Sequence, residues 1–163
     1  MAVNEFELFH GIVLTKLMRS ERPVALRLIE TRPAEAWSAY RVNDELDLFI
    51  KHSTAPRLLS RGRGGRSWTF VFSPAQLRQM QGSRREGPVW AALVGGSRDV
   101  KDQMIVCLLD PDQIAEVVDL GSPNQQSLTV RQIPRSNLRV FKDKRERFLV
   151  AQSRLDQWEV PGG

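Results

Sequence analysis

Lys51 and Asp47 share one short alternating segment, and Arg57, Arg61, Arg63 and Arg66 follow within fifteen residues of Lys51. These are the side chains of this sequence best suited to chemistry on an anion. A guanidinium presents a planar fork of donors that matches phosphate oxygens, and Gly62, Gly64 and Gly65 let backbone amides approach an anion closely. Trp68 comes next and would offer a base a stacking surface if its ring faced outward, although its alternation with Phe70 and Phe72 favours the core. Lys51 and Asp47 form a candidate catalytic pair for phosphodiester chemistry. Asp47, Glu30 and Asp44 would then be the oxygen donors to a divalent cation.

Other catalytic arrangements find less support. His10 and His52 are the two histidines and Cys107 the single cysteine, so no internal disulfide can form and no thiolate cluster can hold zinc. Cys107 lies in the apolar run Met104 to Leu109 and reads as a small buried hydrophobe. No Gly-x-Ser-x-Gly elbow supports a serine nucleophile, and the glycines near Arg63 lack the Gly-Lys-Ser/Thr ending of a phosphate-binding loop.

The 163 residues carry 24 Lys and Arg against 19 Asp and Glu, a net charge of +5 that favours anionic partners. Basic residues gather at 57–66, at Arg84 and Arg85, and at 139–147. At 41% hydrophobic residues the composition is that of an ordinary soluble globular protein. No run approaches the roughly 20 apolar residues of a membrane span, and the start lacks the pattern of a secretory signal. The expectation is a cytoplasmic protein without a membrane partner, folded as one domain over 1–163, with a basic Arg/Gly loop at 57–66 and a frayed tail at 159–163.

Periodicity places these residues on elements. Phe6, Phe9, Val13 and Leu17 predict an amphipathic helix over about 4–19 with Asn4 as its cap. Val24 to Ile29 fits a short strand or a helical extension, bracketed by Pro23 and Pro33. Residues 37–43 and 46–53 predict a hairpin turning at Asn43-Asp44, with Leu46, Leu48 and Ile50 on a core face. Asp47, Phe49, Lys51 and Ser53 would face a partly exposed groove. Trp68 to Phe72 predicts a strand, and Ser73-Pro74 opens a helix through about Met80. The apolar runs Val89 to Val94 and Met104 to Leu109 suit central strands buried on both faces, and Asp110 caps a helix reaching about Leu120. The segments 127–133, 137–142 and 147–152 predict an antiparallel meander, with a terminal helix through Phe148, Leu155 and Trp158 as the competing assignment. The fold class is thus mixed α/β (α+β), a central mixed sheet flanked by helices with a C-terminal antiparallel meander.

With the short Val24 segment treated as an addition, the order from residue 4 to 109 is helix, three strands, helix, two strands, which resembles the core of the PD-(D/E)xK nuclease-like proteins, whose central hairpin carries an acidic pair and a lysine. That resemblance implies a Mg2+-dependent nuclease with Lys51 as the lysine. The sequence departs from the pattern two residues before Lys51, where Phe49 replaces the carboxylate. Asp47, four residues before Lys51, lies roughly 13 Å away along an extended strand, against 6–7 Å for a two-residue step. The strings Asn43-Asp44, Ile50-Lys51-His52-Ser53, Trp68 to Pro74 and Cys107 to Asp110 are also similar to a group of small bacterial proteins that carries no assigned activity to transfer.

Three functions remain in order of preference: a nucleic-acid or polyanion-binding domain without catalysis and without a cofactor, a divergent Mg2+-dependent nuclease, and a subunit that docks a protein partner. A basic groove, carboxylates clustered around Lys51, and a large exposed apolar patch would respectively distinguish them.

Overall fold

A computed structural model describes residues 4–59, 64–97 and 103–161. Among them, three helices and ten strands form a mixed α+β fold with two five-stranded sheets.

The chain opens with α1 (Glu5–Met18). Asn4 accepts the Glu7 amide at 2.8 Å, satisfying one free N–H of the first turn, and Glu5 and Glu7 stand at the positive end of the helix dipole. Phe9, Val13 and Leu17 are buried. β1 (Leu26–Arg32), β2 (Trp37–Val42) and β3 (Leu46–Ser53) follow as an antiparallel meander, so the ambiguous Val24 segment resolves as a strand. The β2–β3 turn is made by Asn43 and Asp44, both at positive φ, in the left-handed pair that matches the twist of a two-residue hairpin.

β3 next pairs in parallel with β6 (Val89–Gly95), and β7 (Ile105–Leu109) adds antiparallel to β6. The order in this first sheet is β1-β2-β3-β6-β7. The parallel step requires a crossover, and α2 (Pro74–Glu86) lies within it. Ser73 and Gln76 close a reciprocal capping box at its start, and Arg84 and Arg85 suit the negative end, where the helix continues beyond the expected Met80. β7 is an edge strand rather than a central one. The Leu108 carbonyl on this edge accepts from Arg154 at 3.0 Å, and Arg154 also pairs with Asp110 at 2.9 Å.

The second sheet was not foreseen. β5 (Arg66–Phe72) leaves the first sheet and pairs with β8 (Gln126–Gln132), giving the order β10-β9-β8-β5-β4, where β4 is Arg57–Leu58, β9 Leu138–Lys142 and β10 Arg145–Val150. β8, β9 and β10 are the expected meander, and its tight turn falls at Asp143 and Lys144. Phe148 belongs to β10, so the competing terminal helix is not formed; residues 152–157 make turns instead. α3 (Pro111–Val117) stops three residues short of Leu120.

Two cores result. One face of the first sheet packs with α1, through Leu48, Ile50, Val94 and Leu108 against Phe9 and Val13, and Leu155 and Val160 of the tail join it. Through Val160 and an Asn43 bond to the Pro161 carbonyl, the described part of the tail is docked rather than frayed. The other face packs through Trp37, Phe49, Leu93 and Cys107 against the inner face of the second sheet, Trp68, Phe70, Phe72, Val130 and Val140, with Leu77, Met80 and Ile114 from α2 and α3. Asp47, Phe49 and Lys51 point into this second core, so both faces of β3 are covered and the expected groove beside them is absent. Among the described residues, no helix is long and apolar enough to cross a membrane.

Candidate functional site

Alternation gives each strand of the second sheet one apolar and one polar side. On β5 the inward residues are Trp68, Phe70 and Phe72, leaving Ser67, Thr69 and Val71 outward. On β8, Leu128 and Val130 face in, and Ser127, Thr129 and Arg131 face out. On β9, Leu138 and Val140 face in, and Arg139 and Phe141 face out. Strand register then aligns these residues across the sheet. Arg57 pairs with Ser67, Ser67 with Arg131, Arg131 with Arg139, and Arg139 with Leu149, forming one row perpendicular to the strands. The neighbouring row is Thr69, Thr129, Phe141 and Glu146, in which the two threonine hydroxyls lie 3.3 Å apart.

Both rows border an open recess of about 1280 Å³, which Ser136 and Lys144 also line. Its electrostatics are unbalanced. Arg139 bonds to Glu146 at 3.3 Å, but among the described residues no carboxylate lies within ion-pair distance of Arg57 or Arg131. The Arg131 guanidinium sits 4.5 Å from the centre of the Phe141 ring. The Nε atoms of Arg131 and Arg139 are buried without a hydrogen-bond partner. Like charges directly opposite in a sheet are unfavourable, and an unpaired buried N–H costs about 1–3 kcal/mol. The two arginines thus place opposed positive charge on the outer face of the sheet.

The residues singled out from sequence fall at several separate places. Arg57 lies in the row just described. Arg61 and Arg63, with Gly62, lie outside the described residues. Arg66 is turned from the recess: it bonds Gln132 at 2.8 Å and the Gln103 carbonyl, and it covers Trp68 at 4.8 Å. Trp68 is fully buried and donates from its indole to the Gly96 carbonyl at 2.8 Å, so it presents no face to a base. Gly65 has φ +118° and a Cβ there would lie 2.2 Å from the Gln132 carbonyl oxygen; this glycine serves a close backbone approach within the fold.

Asp47 and Lys51 point to the same side of β3 with Phe49 between them, and they have different partners. Asp47 forms a two-pronged pair with Arg41 at 2.8 and 3.3 Å, and Arg41 reaches on to Glu86 at 3.0 Å, which holds the guanidinium firmly protonated. Lys51 donates to Gln76 Oε1 at 3.1 Å and to the Glu35 carbonyl at 3.4 Å, with the rings of Trp37 and Phe72 within 5.7 Å. Burial lowers its pKa to about 8, against the partial opposition of Glu35. Glu30 pairs with Arg32, and Asp44 occupies the hairpin turn. The three carboxylates proposed as metal ligands are therefore not brought together, and no group of three metal-capable side chains occurs among the described residues.

Sequence reasoning missed Arg131, Arg139 and Phe141 as a unit, and with them the hydroxyls of Ser67, Thr69 and Thr129. The signal was present as polar alternation in 127–131 and 139–141. Its meaning depended on which strands paired.

Compared with known proteins, the chain matches no protein-family model, no curated protein and no solved structure.

Proposed function

We propose that this protein binds nucleic acid, without catalysis, through the outer face of its second sheet. The observation that carries the reading is the row Arg57, Arg131 and Arg139, with its directly opposed arginines and unpartnered Nε atoms. A phosphate bridging the facing guanidiniums through their terminal nitrogens would turn their repulsion into shared attraction. The flanking serine and threonine hydroxyls add neutral contacts to phosphate or sugar.

Titrating a labelled oligonucleotide by fluorescence anisotropy over a range of salt tests this. Affinity should fall with salt, and Arg131→Ala with Arg139→Ala should weaken binding and reduce the magnitude of the log–log slope by about 1–2, as for two lost phosphate contacts. Salt-insensitive binding, or an unchanged slope in the double variant, would remove this face from consideration.

The nuclease alternative retains one supporting observation: β3, which carries Lys51, lies between β2 and β6 in the middle of the first sheet and runs parallel to β6, although the third strand of the resemblance, β5, has left for the second sheet and β1 is added at the edge. It requires cleavage that depends on added Mg2+ or Mn2+ and is lost in Lys51→Ala. The noncatalytic reading expects intact oligonucleotide in the same tubes.

A further inference from the structure

The Arg131–Phe141 contact narrows the ligand. A guanidinium lying on an aromatic ring keeps a second planar face, and here both residues border the recess. Ser67 and Thr69 stand beside them on β5, opposite Arg131 and Thr129. Arg139 is one strand from Arg131, roughly 5 Å, and Arg57 is two strands away on the other side, roughly 10 Å. A flat cation therefore lies between two further cations along one line across the sheet. A nucleobase can use the flat cation as a platform only if one of its own faces is free, which base-paired stacks do not allow except at their ends.

Resting on the nucleic-acid reading above, we infer that the ligand is a single-stranded polynucleotide, with one base stacked on the Arg131 guanidinium that Phe141 backs and the adjoining phosphates held by Arg139 and Arg57. The Phe141 ring backs the guanidinium, with the guanidinium carbon 4.5 Å from the ring centre, and a cation over an aromatic face is attracted to it. Arg131 thus has two separable properties: its charge contributes to salt-dependent affinity, and its plane contributes to recognition of a base.

The full chain should be titrated at one salt concentration with oligothymidylate, with an abasic oligodeoxynucleotide of equal length and charge, and with a duplex of the same length. Oligothymidylate should bind roughly tenfold more tightly than the abasic strand, and more tightly than the duplex. Arg131→Lys keeps the charge and removes the plane, so it should erase most of that preference while the salt slope stays as in the wild type. Phe141→Leu should reduce the preference in the same direction. Matched thermal melts will show that both variants fold. Equal affinity for the abasic and base-bearing strands, a preference surviving in Arg131→Lys, or tightest binding to duplex would overturn this inference and leave the polyanion face standing. Failure of all three ligands to bind would overturn the nucleic-acid reading itself.

Discussion

Lys51 is an amine enclosed by the core between the two sheets, 8% exposed, and among the described residues no carboxylate is bonded to it. Desolvation disfavours its charged form, and this has a consequence for stability. Between about pH 8 and the ordinary lysine value of 10.5, the unfolded chain holds a proton on Lys51 that the folded chain has released, so the Lys51 contribution to stability rises with pH across that window; from about pH 9 the buried Cys107 thiol, pushed up to about 12, opposes it, because the unfolded thiol releases a proton that the folded one keeps. The Lys51 gain is at most about 3 kcal/mol. On the other side of β3, His10 bonds Ser38 at 2.6 Å and His52 at 2.8 Å, and burial together with the His52 and Lys51 charges lowers its pKa to about 3. His52 is lowered as well, chiefly by burial, with Glu5 opposing. Stability should therefore fall as pH drops from 6.5 toward 3, because the unfolded histidines take up protons that the folded ones refuse. Denaturant unfolding followed over pH checks both limbs: the wild type should lose stability below pH 6.5, and Lys51→Met should lose the rise that begins near pH 8. A stability difference between wild type and Lys51→Met that stays constant from pH 8 to 10.5 would contradict the buried-amine description.

Among the elements, the β2–β3 hairpin carries the largest share of the first sheet, and its register is set twice: by the Asn43-Asp44 turn and by the apolar alternation Leu46, Leu48, Ile50. Leu48→Ala should destabilise by about 2–5 kcal/mol, since the side chain is fully buried against α1. A change below about 0.5 kcal/mol would mean that this face does not form the core. The hairpin was legible in the sequence because local turn chemistry and periodicity agree there. The capped starts of α2 and α3 were legible for the same reason: Ser73 with Gln76, and Asp110 with Gln113, are complete signals within four residues. The burial of Asp47 and Lys51 was not. Polar residues alternating with Phe49 look like an exposed face until a second sheet is known to cover them. The close packing of that sheet is visible at Gly95, where a Cβ would lie 2.7 Å from the Trp68 ring, so the indole takes the place of a side chain.

For the molecule as a whole, the decisive event is the departure of β5 to pair with β8, some sixty residues later in the chain. That pairing buries Trp68, which the sequence had offered as a stacking surface, and brings Arg57, Arg131 and Arg139 into line. A long-range pairing leaves little local trace, so the basic clusters at 57–66 and 139–147 could be read in the sequence while the face that Arg57 and Arg139 share could not. Several other arginines are paired elsewhere: Arg41 with Asp47 and Glu86, Arg154 with Asp110, and Arg32 with Glu30. The measurement that tests this account most directly is the affinity of the full chain for a single-stranded oligonucleotide as a function of salt, compared with the Arg131→Ala/Arg139→Ala variant at matched thermal stability. The account predicts salt-sensitive binding by the wild type and a weaker, flatter dependence in the variant; identical curves for the two proteins would contradict it.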